Sequence, residues 1–149
     1  MKLEIYFDSK LKGEFSDKGG NFEETIRLYH RSGLLKDQVR YRNRLLDGTC
    51  KRHFKNGKVE GVENHNSHTK EVRCKRYWEN GKLRFEEIKK NGKRNGLCKY
   101  YFKNGSLKEE VNYTNGIVDG IRKKYYYGGK PAFEEVLRLG MRNGLCKYY

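Results

Sequence analysis

The chain has 149 residues, of which 35% are hydrophobic and 36% charged, with a net charge of +15. This composition is too polar for a deep globular core, but 12 Tyr, 7 Phe and 1 Trp are too many aromatic residues for a disordered chain. No apolar run approaches the roughly 20 residues of a membrane span, and the N-terminus lacks the apolar segment of a signal peptide. We therefore expect a soluble cytoplasmic protein with a thin core rich in tyrosine.

The basic residues are unevenly distributed along the chain. Residues 1–23 contain four Lys and five Asp or Glu, whereas residues 24–149 contain 30 basic and 14 acidic residues. A surface this basic indicates either an acidic partner or a solubilising role alone. The acidic partners to consider are a protein, an anionic lipid and a nucleic acid.

A repeat of 24 residues organises the sequence. Residues 94–101 recur unchanged as residues 142–149, two repeat lengths later. A fixed period in this range indicates a repeat architecture. We predict one repeat domain over residues 1–149, and its units in chain order are residues 1–23, 24–47, 48–71, 72–95, 96–119 and 120–143, with a closing strand at 144–149.

Two turn signals recur in each unit and divide it into two strands. The first unit carries weak signals, Asp8-Ser9 and Gly19-Gly20. In later units the first turn reads Asn56-Gly57, Asn80-Gly81 and Asn104-Gly105. The second turn reads Asn91-Gly92 and Asn115-Gly116. Asn-Gly favours a type I′ hairpin, because both residues tolerate a positive φ. The fold class predicted is all-β, an elongated single-layer antiparallel sheet of stacked β-hairpins. Pro131 replaces the Leu of other units and should disturb its strand.

A two-residue first turn also predicts which residues face each other. Close to the turn it pairs apolar residues, namely Trp78 with Leu83, Phe102 with Leu107 and Phe54 with Val59. Further out it pairs charges, namely Lys75 with Glu86, Lys99 with Glu110 and Lys123 with Glu134. Strand alternation then places the Cys, Phe/Trp and Leu columns on one face and the Lys, Glu and Tyr columns on the other.

The units resemble a known family. Residues 72–86 and 96–110 follow the pattern G-x-x-K-x-Y-x-x-N-G-K-L-x-x-E, apart from Val72 in place of Gly and Ser106 in place of Lys. This pattern resembles the MORN-repeat variant of bacterial YwqK-family antitoxins. The resemblance implies an elongated sheet of stacked hairpins and a role as an antitoxin, although the motif residues themselves are structural.

The four cysteines Cys50, Cys74, Cys98 and Cys146 all occupy the third position of their units. Equivalent positions of successive units should lie roughly 9–10 Å apart, which is too far for a disulfide. We therefore predict small buried side chains with free thiols. His65 and His68 lie in a polar turn without a third ligand of fixed spacing, so we predict no metal site. We also expect no cofactor and no catalytic group.

The remaining candidate site is the surface of the sheet. A tyrosine column runs beside a lysine column in successive units, and the candidate binding residues are Tyr77, Tyr101, Tyr125, Lys75, Lys99, Lys123 and Trp78. Such a surface could grip a protein, lie on lipid headgroups or stack nucleic-acid bases. The structural alternative is that these tyrosines only shield the backbone and the neighbouring lysine stems.

These observations favour a non-enzymatic protein-interaction module. Together with the resemblance, they suggest a bacterial antitoxin or immunity protein that binds and blocks a cognate toxin. The alternative is a MORN-type scaffold that binds anionic lipid or nucleic acid. An edge strand near the C-terminus could also pair with a second copy of the chain.

Overall fold

A computed structural model describes residues 2–7, 10–18 and 23–149. These residues form strands and turns only, and none of them lies in a helix. Accordingly, no helix in the described part of the chain could span a membrane. The chain divides into two compact units, Met1–Lys70 and Glu71–Tyr149.

The first unit is an antiparallel sheet of hairpins. Its strands are β1 (Lys2–Phe7), β2 (Lys10–Lys18), β3 (Glu23–Tyr29), β4 (Leu35–Arg42), β5 (Leu45–Leu46), β6 (Gly48–His53) and β7 (Val59–Asn66). They lie in the order β1-β2-β3-β4-β6-β7, and the short β5 pairs with β4. The weak turn signals Asp8-Ser9 and Gly19-Gly20 lie outside the described residues.

The second unit repeats the same arrangement. Its strands are β8 (Glu71–Tyr77), β9 (Leu83–Lys90), β10 (Lys93–Arg94), β11 (Gly96–Tyr101), β12 (Leu107–Thr114), β13 (Ile117–Tyr125), β14 (Pro131–Arg138), β15 (Met141–Arg142) and β16 (Lys147–Tyr148). They lie in the order β8-β9-β11-β12-β13-β14-β15, while β10 pairs with β9 and β16 pairs with β14. The prediction of an all-β antiparallel sheet built from hairpins is confirmed.

The second turns of the second unit, at 91–92, 115–116 and 139–140, are the predicted type I′ turns. Asn91 and Gly92 have φ angles of 51° and 76°, and Lys90 pairs directly with Lys93 across them. Positive φ at both central residues matches the right-handed twist of the flanking strands.

The first turn is longer than predicted. In the 78–82 loop, the Gly81 N–H donates to the Trp78 carbonyl at 2.8 Å and the Trp78 N–H donates to the Lys82 carbonyl at 2.8 Å. Only Gly81, with φ of 84°, adopts a positive φ there. This is a three-residue loop, a type I turn followed by a left-handed glycine. The predicted two-residue turn is therefore wrong at this position.

The longer loop changes the pairing next to it. The predicted apolar pairs are wrong, because the structure pairs Tyr77 with Leu83, Tyr101 with Leu107 and His53 with Val59. Residues that pair directly share a face. The leucine column consequently lies on the tyrosine face, and not on the cysteine face as predicted.

Further from the turn the predicted register is correct. Arg84 is an extra residue that forms a β-bulge, so Arg76 pairs with Phe85 and Lys75 with Glu86. The additional loop residue and the bulge cancel, which restores the pairing expected for a shorter turn. Pairing of Lys99 with Glu110 and of Lys123 with Glu134 is confirmed in the same way.

Pro131 does not disturb its strand, contrary to the prediction. It begins β14 and pairs with Tyr125, with the same neighbouring bulge as in the other repeats. A proline is tolerated at the first residue of a strand, where its missing N–H interrupts little of the ladder.

The buried part of the second unit is thin and lies on one face of its sheet. Cys98 is 0% exposed and Val111, directly opposite, is 2% exposed. Cys74 and Leu137 complete the buried apolar set among the described residues. Two carboxylates, Glu87 and Glu135, are also buried on this face. Most other side chains contact solvent, which agrees with a sheet one layer thick.

Candidate binding surface

The tyrosine face of the second unit carries a network of lysine, glutamate and tyrosine. Glu86 lies 3.5 Å from the Lys75 Nζ and accepts a hydrogen bond of 2.9 Å from the Tyr101 hydroxyl. Glu110 repeats the arrangement, with Lys99 at 3.1 Å and the Tyr125 hydroxyl. Each carboxylate therefore joins a lysine of its own hairpin to a tyrosine of the next one.

The lysine–glutamate part of this arrangement continues at Glu134. Its carboxylate lies 3.1 Å from the Lys123 Nζ, and both residues remain part-exposed. Ion pairs this exposed contribute little to stability by themselves. The network instead fixes the orientation of side chains along the face.

The network perturbs the pKa values of its members. Burial acts to raise the pKa of Glu110, but the hydrogen bonds from Lys99 and Tyr125 outweigh it and lower this pKa. Burial, followed by the hydrogen bond to Glu86, raises the pKa of Tyr101 to about 12. The Tyr101 hydroxyl thus stays protonated, and the Glu110 carboxylate stays charged, near neutral pH.

The cysteine face holds the buried carboxylates, and arginines neutralise them. Glu87 accepts from the Arg94 Nε at 2.7 Å and lies 3.1 Å from the Lys89 Nζ. Burial acts to raise the pKa of Glu87, but these two cations outweigh it and lower the pKa. Glu135 is bound by Arg142 at 2.9 Å and by Arg122 at 3.4 Å. Both carboxylates have a structural role, because their charges are paired with cations of the same sheet.

All four cysteines are free thiols, as predicted. Cys74 and Cys98 are buried, whereas Cys50 and Cys146 are part-exposed. Burial raises the pKa of Cys98, so its thiol stays protonated and unreactive. His65 accepts or donates a 3.0 Å hydrogen bond with Glu63, and the described residues contain no group of three metal-ligating side chains.

One edge of the second unit carries aromatic rings covered by cations. We call its loops 78–82, 102–106 and 126–130 the first-turn edge. The Trp78 ring has the Arg84 guanidinium at 4.7 Å and the Lys103 ammonium at 5.5 Å from its centroid. Phe102 packs against Tyr127, with ring centroids 5.2 Å apart. Within the described residues, the buried Trp78 Nε1 has no hydrogen-bond partner.

The opposite edge is formed by the type I′ turns. We call the turns at 91–92, 115–116 and 139–140, with the residue on each side, the second-turn edge. The Gly116 N–H donates to the Arg94 carbonyl at 2.8 Å, and the Gly140 N–H donates to the Val118 carbonyl at 2.9 Å. Successive turns are therefore stacked by backbone hydrogen bonds into a continuous edge.

The structure divides the predicted binding residues into two groups. Lys75 with Tyr101, and Lys99 with Tyr125, meet on shared glutamates, while Lys123 binds Glu134. Tyr77 lies on the same face opposite Leu83. Trp78 is separate from all of these, because it begins the loop of the first-turn edge.

Sequence reasoning missed the second-turn edge as a candidate surface and included only Trp78 from the first-turn edge. Both edges gather side chains from every repeat, and at the second-turn edge Ile117, Leu139 and Met141 are 48%, 66% and 70% exposed. The departure of Leu139 from the asparagine of the preceding turns was the signal available in the sequence.

Comparison with known proteins supports the repeat assignment. Residues 70–88 and 94–115 match the MORN repeat variant. These segments cover most of the β8–β9 hairpin and all of β11 and β12. No curated protein matches the chain. The chain therefore contains MORN-type repeats, and such repeats are typical of binding modules.

Proposed function

We propose that this protein is a non-enzymatic, cytoplasmic protein-binding module that acts as an antitoxin or immunity protein, binding and blocking a cognate toxin. Repeat proteins commonly use an extended surface, with one set of side chains contributed by each repeat, to bind a partner. The MORN-type repeats and the resemblance to YwqK-family antitoxins support this role.

One observation carries the proposal: the second-turn edge varies in side chain while its backbone repeats. The residue after the turn is Lys93, Ile117 or Met141 in successive repeats. The turns that position these residues share the same geometry and stack through backbone hydrogen bonds. Variable side chains on a constant scaffold suit recognition of one particular partner.

The mechanism we propose is occlusion. A bound module would cover the active site of the toxin, or the surface with which the toxin meets its substrate. The module has a net charge of +15, so it would be repelled by a basic toxin surface and attracted to an acidic one. We therefore expect the contacted surface of the toxin to be acidic.

The experiment begins with the products of the genes that flank this one. Each product is expressed alone and together with this protein, and growth is measured. We expect one product to arrest growth alone and to be harmless when the two are co-expressed. A version of this gene with an early stop codon is the control, because it keeps the transcript but makes no protein. Failure of every flanking product to be neutralised would contradict the antitoxin role.

A second candidate function is binding to anionic lipid, and the first-turn edge favours it. Its loops carry Lys82, Lys103 and Lys130 beside exposed Tyr126 and Tyr127. Arg84 and Lys108 lie two residues after the first and second of these loops and add to the positive charge. Basic residues near an anionic membrane contribute about 1 kcal/mol each. Flotation with phosphatidylserine vesicles and with phosphatidylcholine vesicles tests this function, and equal recovery with both would exclude it.

Nucleic-acid binding is less well supported by the same edge. The Trp78 ring already has two cations near it, at 4.7 Å and 5.5 Å from its centroid. A base would have to displace at least one of them in order to stack. Such binding would weaken steeply with salt, and the absence of a mobility shift at low salt would exclude it.

A further inference from the structure

Leu139 occupies a position for which its side chain is poorly suited. It is the first central residue of a type I′ turn, with φ of 51°, where the two preceding turns use Asn91 and Asn115. Asparagine tolerates this left-handed conformation, whereas a bulky residue is strained there. The turn itself therefore gains nothing from leucine.

Burial does not explain Leu139 either. Its side chain is 66% exposed, so it contributes little to the apolar core. Backbone strain that no burial or packing of the side chain offsets is concentrated at functional sites. The backbone geometry around Leu139 is otherwise regular, since the Gly140 N–H keeps its 2.9 Å hydrogen bond to Val118.

Two further apolar side chains lie beside Leu139. Met141 follows the same turn and is 70% exposed, while Ile117 is 48% exposed. The Ile117 Cγ2 lies 3.4 Å from the Cβ position of Gly140, so the isoleucine packs directly under the Leu139 turn. We call these three residues the apolar tip of the second-turn edge. Their grouping is typical of the apolar centre of a protein interface.

The charges around the apolar tip are mainly basic. Arg138 pairs with Met141 in the sheet and is exposed, and Lys93 lies along the same edge against Gly116. Neither cation forms an ion pair with the described residues. The one carboxylate beside the turn, Asp119, is engaged by the Leu139 N–H at 3.4 Å.

We propose that the apolar tip is the docking point for an acidic protein segment that carries an apolar side chain at its centre. The second unit has 19 basic and 9 acidic residues, a net charge of +10, which complements an acidic partner. A second copy of this chain is disfavoured, because two copies of net charge +15 repel each other. This inference rests on the proposed protein-binding function and specifies where, and with what chemistry, the partner is bound.

Leu139→Asn is the decisive variant, because it restores the residue that the two preceding turns use. We expect its melting temperature to equal or exceed that of the unchanged protein, while partner binding is lost. Leu139→Ala keeps the strained conformation and removes most of the apolar surface, so it should also weaken binding. Leu45→Asn is the matched control, since Leu45 is 57% exposed beside the equivalent turn of the first unit.

The probe is a displayed library of short peptides with apolar residues at the centre and Asp or Glu on both sides. A matched library carries Lys or Arg on both sides. We expect the full-length protein to select only from the acidic library, and Leu139→Asn to weaken the selected peptides about tenfold or more. The inference is overturned if both libraries are selected equally, if Leu45→Asn weakens binding as much, or if Leu139→Asn lowers the melting temperature.

Two further comparisons separate this inference from the antitoxin role and from a membrane role. Selection of acidic peptides that depends on Leu139 supports the inference even if no flanking gene product is neutralised. Neutralisation that Leu139→Asn leaves intact overturns the inference and keeps the antitoxin role. Binding to phosphatidylserine vesicles that Leu139→Asn abolishes would also overturn it, because the tip would then contact lipid.

Discussion

Removal of the Arg94 side chain should lower the free energy of unfolding, because Arg94 neutralises a buried carboxylate. The Glu87 side chain is 4% exposed and lies 2.7 Å from the Arg94 Nε and 3.1 Å from the Lys89 Nζ. Removing one partner of a buried ion pair costs about 3–5 kcal/mol, because the other charge is left unpaired. Lys89 remains and Arg94 is 44% exposed, so we expect Arg94→Ala to cost about 2 kcal/mol.

Replacing both partners should cost much less than this. Val111 occupies the position of Glu87 in the next repeat, where it is 2% exposed opposite Cys98. Exchange of a buried ion pair for well-packed apolar residues is often neutral or stabilising. We therefore expect Glu87→Val to recover most of the loss in an Arg94→Ala background, with a coupling energy of about 1–2 kcal/mol.

Urea unfolding followed by tyrosine and tryptophan fluorescence measures these free energies. Lys90→Ala is the control, because Lys90 is exposed and forms no ion pair within the described part of the chain; its effect should stay within about 0.5 kcal/mol. The reasoning is refuted if Arg94→Ala matches this control. It is equally refuted if the double variant is as unstable as Arg94→Ala alone.

Three further predictions follow from the pKa shifts and from burial. Folding lowers the pKa values of Glu87 and Glu110. The stability that these two carboxylates contribute is therefore complete above the usual carboxyl pKa and is lost as the pH falls through their lower pKa values in the folded protein. An unfolding free energy that does not change with pH in this acid range would contradict this prediction. Tyr101→Phe should cost about 1 kcal/mol by removing a hydrogen bond to a carboxylate, and an unchanged urea midpoint would show that this bond is not formed in solution. An aromatic disulfide reagent should label Cys146 well before Cys98, which is 0% exposed, and mass spectrometry that finds the reverse order would show that Cys98 is accessible.

The sequence predicts the architecture well because the repeat supplies the same evidence several times. The period, the turn signals and the Lys75–Glu86 pairing each follow from residues that recur every 24 positions. The type I′ geometry at Asn91 is also predictable, since an Asn-Gly pair between strands strongly favours it.

Details next to the first turn could not be predicted by the same logic. Asn80-Gly81 gives the same turn signal as Asn91-Gly92, yet it forms a three-residue loop with a bulge at Arg84. The two turn types differ in which residues have positive φ, and an Asn-Gly pair is compatible with both. Only the pairing of the whole hairpin distinguishes them.

The candidate surface was predicted less well than the fold. The Tyr101 and Tyr125 hydroxyls bind glutamates of the neighbouring hairpin, and this could not be read from strand alternation within one unit. The apolar tip has a weak sequence signal, the single change from asparagine to Leu139, and it becomes meaningful only with the exposure and φ of that residue. The binding roles of the predicted residues stay predictions.

Hydrogen–deuterium exchange of this protein, with and without the flanking gene product that it neutralises, tests the account most directly. We predict that binding slows exchange in peptides that cover residues 114–119 and 138–143, where the stacked turns carry the apolar tip. Peptides from the first unit should exchange at the same rate in both samples. Protection confined to other residues, or no protection at all, would contradict a binding module that docks its partner on the second-turn edge.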